Sequence, residues 1–209
     1  MSQKKLVLFD LDGVILNSKM NMEYSWGQVC SQLKINVDFE EYFSKIGRPF
    51  FDIMTMLGLQ EYASRAESIF RVSSMSSLHL VSFYDGVRET LSALEQAGIG
   101  MGVVTSKDRM RTNAILAMLP VDFTTVQTPG DKFRGKPAPD HLLLAMAESQ
   151  IDPADTIYIG DMDSDFEAAQ RAGIDYLHAQ WGYGAAPKDG IPALSSIKEL
   201  ADWIGVRHP

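Results

Sequence analysis

The feature that most constrains this chain is a short run near its start, Leu6-Val7-Leu8-Phe9, followed at once by Asp10-Leu11-Asp12-Gly13-Val14. Four apolar residues in a row, bounded by Lys4-Lys5 and by Asp10, read as a short strand buried on both faces. Two carboxylates one residue apart then stand at its carboxyl end, and Gly13 lets the chain turn sharply. Open α/β sheets place their ligands outside the carboxyl ends of their strands. The plainer reading is that Asp10 caps a turn and Asp12-Gly13 is turn chemistry. Taken alone, the stretch allows both.

The chain that follows sets the architecture. Met22, Trp26, Val29, Cys30 and Leu33 recur at helical spacing between Met20 and Leu33. Glu40 to Ile46 continues in that style until Gly47-Arg48-Pro49 breaks it. Phe50, Ile53, Met54 and Leu57 share a face up to Gly58, and Glu61 to about Ser77 is helical again. A crossover between parallel strands needs far fewer residues than this. Residues 17–81 are therefore expected to form an inserted helical module lying over the carboxyl ends of the strands, with Met20, Met22, Trp26, Met54 and Met56 mostly in its core. From Tyr84 onward strands and helices alternate. Expected strands are Gly100–Val104, Phe123–Gln127, Thr156–Ile159 and Asp175–His178. Expected helices are Val87–Gln96 capped by Asp85, one opening at Thr105-Ser106 and running to Leu119, His141–Ser149, Ser164–Ala172 and Ser195–Trp203. Alternation of this kind implies an α/β fold with a doubly wound parallel sheet and right-handed crossovers. Residues 1–16 and 82–209 would form that core.

Composition narrows the class of function. A net charge of −8 with no basic run argues against a nucleic-acid partner. The single cysteine, Cys30, excludes an internal disulfide framework and fits a reducing cytosol; it reads as a small apolar residue and not as a nucleophile. The apolar run after Lys5 is too short for a signal peptide or a membrane span. The expectation is a cytoplasmic protein without membrane attachment, a monomer or weak homodimer.

Four stretches at expected strand ends carry chemistry: Asp10-Leu11-Asp12-Gly13-Val14, Val103-Val104-Thr105-Ser106, Gly135-Lys136-Pro137-Ala138-Pro139-Asp140, and Ile159-Gly160-Asp161-Met162-Asp163-Ser164-Asp165. In order and spacing they resemble the signature motifs of the haloacid dehalogenase-like (HAD) hydrolases, aspartate-nucleophile phosphatases with a Rossmann-like core. A helical insertion directly after the first motif resembles that family's C1 cap. The chemistry explains the residue types, since phosphoryl transfer needs a nucleophile, a divalent cation and further donors to phosphate oxygens. The resemblance implies that Asp10 is the nucleophile and forms an aspartyl-phosphate, and that Asp12 protonates the leaving group and then activates water. It implies Mg²⁺ held by the carboxylates of Asp10 and Asp161 and the backbone carbonyl of Asp12. Asp165 would hold a metal-bound water or orient Lys136. Thr105 and the Ser106 N–H, at a helix start, would cradle phosphate with Lys136. Asp163 reads as a helix cap.

Other residues say less. His79, His141, His178 and His208 have no metal spacing and read as structural or surface residues. Lys107, Arg88 and Arg134 read as surface charges. Trp181-Gly182-Tyr183-Gly184 resembles a loop common in phosphoglycolate phosphatase-like members, and a tight turn with a packed Trp explains it equally. Arg48, after Gly47, resembles the specificity loop of C1 caps and could meet a substrate anion. The expected activity is Mg²⁺-dependent hydrolysis of a small phosphate ester, phosphoglycolate-like or sugar-phosphate-like. The alternative is a β-phosphoglucomutase-like phosphotransferase. Those relatives carry a histidine twelve residues after the nucleophile, where this chain has Met22, which favours water as the acceptor. A binding protein with a dead site is disfavoured by the presence of Asp10, Asp12, Lys136 and Asp161, and a dehalogenase by Asp12 itself.

Overall fold

The computed structural model describes residues 4–130, 132–186 and 188–206. The chain divides into two compact units, residues 18–82 and the residues on either side of them.

The first strand, β1 (Leu6–Phe9), leads to a short β2 (Leu16–Asn17), where the chain leaves the first unit. The second unit is helical, with α1 (Lys19–Leu33), α2 (Phe39–Phe43), α3 (Phe50–Met56) and α4 (Ala63–Ser76). Its core is aromatic. Trp26 stacks on Tyr42 at 4.4 Å between ring centroids, and Phe70 lies against both Tyr42 and Phe50. Met22 and Met54 are buried as expected of a core, whereas Met20 and Met56 are exposed. Beside the rings runs a neutral polar seam. Asn21 Nδ2 donates to the carbonyls of Ser74 and Ser77 at 3.0 and 2.9 Å, and its Oδ1 accepts from Ser74 Oγ at 2.6 Å. Ser25 Oγ donates to the Asn21 carbonyl at 2.6 Å.

The chain returns through β3 (Ser82–Phe83), which pairs with β2. It continues through α5 (Val87–Gln96), β4 (Gly100–Val104), α6 (Arg109–Leu116), β5 (Thr125–Gln127), α7 (Asp140–Ser149), β6 (Thr156–Gly160), α8 (Asp163–Ala172), β7 (Asp175–Ala179), β8 (Ala193–Leu194) and α9 (Leu200–Trp203). The sheet runs β5-β4-β1-β6-β7-β8 with parallel pairings, an α/β doubly wound core as read from the sequence. β1 lies inside the sheet, and Leu6, Val7, Leu8 and Phe9 are all fully buried, which is why that run is unbroken. Leu6 and Leu8 pack with Leu142, Met146, Ala168 and Tyr176, so α7 and α8 cover one face. α5 lies against β4 and α9 and turns Leu91 and Leu94 inward.

Register positions the site. Phe9 pairs with Val103 on one side and with Ile159 on the other. Asp10 N then donates to the Ile159 carbonyl at 2.9 Å, and Thr105 N to that of Gln127 at 3.0 Å. Asp10, Thr105 and Asp161 therefore emerge along one edge of the sheet.

Local chemistry departs from the expected pattern at several helix ends. α5 starts behind Gly86, at φ +83°, and Asp85 instead pairs with Lys198 at 2.6 Å. α6 begins at Arg109, because Asp108 supplies the cap by accepting from Arg111 N; Thr105 and Ser106 lie in the preceding turn. Asp163 is the first residue of α8 and not its cap; Asp165 reaches back to the Met162 N–H. The closing helix is a 3₁₀ turn, Ile197–Glu199, followed by α9. The edge strand β8 has only two residues, too short a run to show alternation.

Candidate active site

The sheet edge gathers Asp10, Asp161 and Asp165, each offering an oxygen within 4.8 Å of the others. Lys136 enters among them with its side chain 1% exposed. Its Nζ lies 3.0 Å from Asp10 Oδ1, 2.6 Å from Asp165 Oδ1 and 3.2 Å from the Tyr158 hydroxyl. The Lys136 loop is fixed from outside, with Arg171 donating to the Pro137 carbonyl at 2.9 Å and Arg134 paired to Asp140 at 2.8 Å. A lysine so placed is no solvated surface charge; burial works against its ammonium, but Asp10 and Asp165 outweigh it and raise its pKa. Asp10 is pushed up to about 7 by burial and by repulsion from Asp165 and Asp12, with Lys136 opposing. Asp161 is raised too, by burial and then by Asp165 and Asp10.

The carboxylates are not equivalent. Asp165 is saturated. Its Oδ2 accepts from the N–H groups of Asp161 and Met162 at 3.2 and 3.0 Å, and its Oδ1 faces Lys136 and the Tyr158 hydroxyl. Asp161 Oδ2 accepts from Tyr183 N at 2.7 Å, while its Oδ1 is buried without a partner. An orphaned buried carboxylate oxygen is costly and calls for a ligand. A Cβ on Gly13, at φ +89°, or on Gly182 would overlap the Asp161 side chain, so both glycines permit a close cradle around it. Hard oxygen donors crowded at one point, with one oxygen unmet, fit a small divalent cation. Asp10 and Asp161 suit it better than the occupied Asp165.

The loop Trp181-Gly182-Tyr183-Gly184 is part of this construction. Trp181 Nε1 donates to the Val14 carbonyl at 3.0 Å and Tyr183 OH to that of Leu16 at 3.4 Å. It ties the first strand end to Asp161, so the Gly-rich turn is more than a packed Trp.

Asp12 lies on the same edge with its side chain 20% exposed. Its Oδ1 is 3.2 Å from Lys107 Nζ. Lys107 is buried, which corrects its reading as a surface charge; burial lowers its pKa and Asp12 opposes that. Thr105 is buried, and its Oγ1 accepts from Lys107 N at 3.1 Å; Ser106 is half-buried beside it. Arg48 belongs to the helical unit, half-buried after Gly47 at φ +85°. His141 and His178 are buried, with pKa values lowered by burial, His79 is exposed, and His208 lies outside the described residues. Cys30 is half-buried, its Sγ 3.5 Å from the Val37 carbonyl.

Residues 7–179 match the family model of haloacid dehalogenase-like hydrolases. The chain belongs to that family. A phosphoglycolate phosphatase from Xylella fastidiosa is 32% identical over 193 residues, covering 86% of this chain and 81% of the relative. The pyrophosphatase PpaX of Oceanobacillus iheyensis is 26% identical over 180 residues, covering 85% and 84%. The crystal structure of a predicted phosphatase from Clostridium acetobutylicum superposes with a TM-score of 0.85 at 25% identity, over 97% of this chain and 99% of that one. This haloacid dehalogenase-like hydrolase is a phosphatase, and among its described residues no helix is long and apolar enough to cross a membrane.

Sequence reading of the haloacid dehalogenase-like site missed Lys107 and Tyr158. Lys107 follows a strand end by three residues, a spacing that could have placed it near Asp12. Tyr158 gave no signal, because it sits inside a strand that reads as wholly apolar.

Proposed function

We propose that the protein is a Mg²⁺-dependent phosphatase that hydrolyses a small phosphorylated metabolite through an aspartyl-phosphate on Asp10. The observation that carries this reading is the pairing of Asp10 with buried Lys136, beside an Asp161 oxygen that has no protein partner. Asp10, Asp161 and the Asp12 carbonyl would hold Mg²⁺, which when bound supplies charge neutralisation for phosphate oxygens. The Asp10 carboxylate attacks phosphorus, and the P–O bond to the leaving group breaks. Asp12 gives its proton to the leaving oxygen. Asp12 then takes a proton from water, whose oxygen attacks phosphorus; phosphate leaves and the Asp10 carboxylate is restored. Lys136, the Thr105 hydroxyl and the Ser106 N–H bind phosphate oxygens, and Asp165 holds Lys136 in place. The helical unit acts as the cap, with Arg48 as its anion-selecting residue. Met22, a thioether, cannot replace a histidine in guarding the aspartyl-phosphate from water, so water is the acceptor. The relatives suggest phosphoglycolate or a comparably small phosphate ester as substrate; the proposed setting is the cytoplasm and the proposed state a monomer or weak homodimer.

The test is phosphate release from a panel of phosphorylated metabolites, with Mg²⁺ and with excess chelator. Release that needs Mg²⁺ and is lost in Asp10→Asn supports the reading. Full turnover in chelator would remove the metal from it. Glucose 6-phosphate formed from β-glucose 1-phosphate and catalytic glucose 1,6-bisphosphate, without matching free phosphate, would favour the phosphotransferase.

A further inference from the structure

We infer that Lys107 is a positioning residue that aims Asp12 and couples it to the turn holding phosphate, an inference that rests on the hydrolase reading above. The contact joins two expected motifs. Lys107 Nζ lies 3.2 Å from Asp12 Oδ1, with the lysine side chain 5% exposed. A lysine so buried is held by its partner and not by water.

Its backbone is pinned on both sides. Lys107 N donates to Thr105 Oγ1 at 3.1 Å, and its carbonyl accepts from the fully buried Thr112 Oγ1 at 3.3 Å. The lysine therefore projects from a fixed point. The nearby anion Asp108 is itself gripped by Arg111. Asp108 Oδ1 accepts from Arg111 N, and its Oδ2 is taken by Arg111 Nε. Two ion pairs meet at this turn, Arg111 with Asp108 and Lys107 with Asp12.

An Asp side chain turns about two torsions, and a proton-transfer group must hold its oxygen within hydrogen-bond reach of the reacting atom. A grip on Oδ1 removes that freedom. Because the same residue binds Thr105 through its own N–H, the donor to phosphate and the acid/base share one anchor. Misplacing such a group by about 1 Å can cost about 10²-fold in rate.

The experiment follows phosphoenzyme breakdown in single turnovers. Enzyme is loaded from p-nitrophenyl phosphate, whose leaving group departs without a proton, and intact mass is read after an acid quench. Wild type must first show a phosphoryl group that is absent in Asp10→Asn; if it does not, the hydrolase reading fails before any Lys107 variant is compared. With that in hand, Lys107→Met is expected to slow breakdown about 10²-fold while kcat/KM for p-nitrophenyl phosphate, which reports only the steps up to phosphorylation, and inhibition by inorganic phosphate shift less than about threefold. In an Asp12→Asn background, Lys107→Met should add no more than about twofold. Lys107→Gln is the second variant should Lys107→Met fold poorly by thermal melting. An equal slowing in both backgrounds, a loss confined to kcat/KM, or wild-type breakdown in either variant would overturn the inference.

Discussion

Each unit buries a polar cluster, and the two are built on opposite principles. In the helical unit, Asn21 is met by Ser74 and Ser77, and every partner is neutral. In the α/β unit, Asp10, Asp161 and Asp165 crowd together, one ammonium pairs with Asp10 and Asp165, and Asp161 Oδ1 is met by nothing. The first arrangement is a satisfied network, which rigidifies the fold around it. The second keeps charge uncompensated in a place where water cannot help. A chain carries such a cost where a bound group settles it, and Asn21 and Asp161 show how the two kinds of buried polar group are told apart.

The largest expected effect breaks the charged cluster at its centre. Asp10→Asn keeps shape and hydrogen-bonding size but removes the attacking carboxylate. Turnover should fall by at least about 10⁴-fold, with a melting curve that stays cooperative. Retention of most activity on a genuine substrate would end the aspartyl-phosphate mechanism.

Breaking the neutral network should do the reverse. Asn21→Ala strands Ser74 Oγ and two carbonyls, at a cost of about 2–3 kcal/mol in chemical denaturation. Specific activity of the folded fraction should change little. If Asn21→Ala leaves the denaturation midpoint in place, the seam is not the stabilising element described.

The charged cluster should also show itself in stability without metal. A carboxylate whose folded pKa is raised lends stability while protonated and withdraws it as pH rises. For Asp10 that window runs from about 4, the unfolded value, to about 7. In chelator the melting temperature of wild type should therefore drop across this range. Asp161→Asn should melt higher than wild type in chelator at pH 8, by about 1 kcal/mol of stability, and should lose most of the rise that Mg²⁺ gives wild type. A lower melting temperature for metal-free Asp161→Asn would mean that Asp161 stabilises the fold.

The effect most narrowly confined to one class of substrate concerns Arg48. Arg48→Ala should raise KM for an anionic substrate about tenfold, or about 1.4 kcal/mol, and leave a minimal aryl phosphate nearly untouched. Equal losses on both would put Arg48 in the fold or in the chemistry.

What sequence could and could not say follows the same division. β1, β4 and the strand before Asp161 were legible because strands buried on both faces leave unbroken apolar runs. The Asp and Lys positions were legible because their spacing resembles a family pattern. The cap of α5 and the start of α6 were not, because Gly86 and Asp108 won the capping positions through backbone geometry and a competing pair, Asp85 with Lys198. Lys107 was misread, although its place three residues after β4 was a usable signal. A lysine carries no burial signal of its own, and its partner Asp12 is distant in sequence.

The junction between the units has a consequence for how the chain folds. β2 and β3 are paired, so the segment 18–82 starts and finishes at neighbouring points. β1 must find β4 across that whole segment, a search whose entropic cost grows with the length of the intervening chain. Helices rich in local contacts form quickly, and once they have packed, their two ends stand side by side. The insertion then behaves kinetically as a short tether, and the sheet assembles as though its first and second large strands were near neighbours in the chain. The same closed geometry lets the segment be exchanged for another of different length without altering the strand order beneath it.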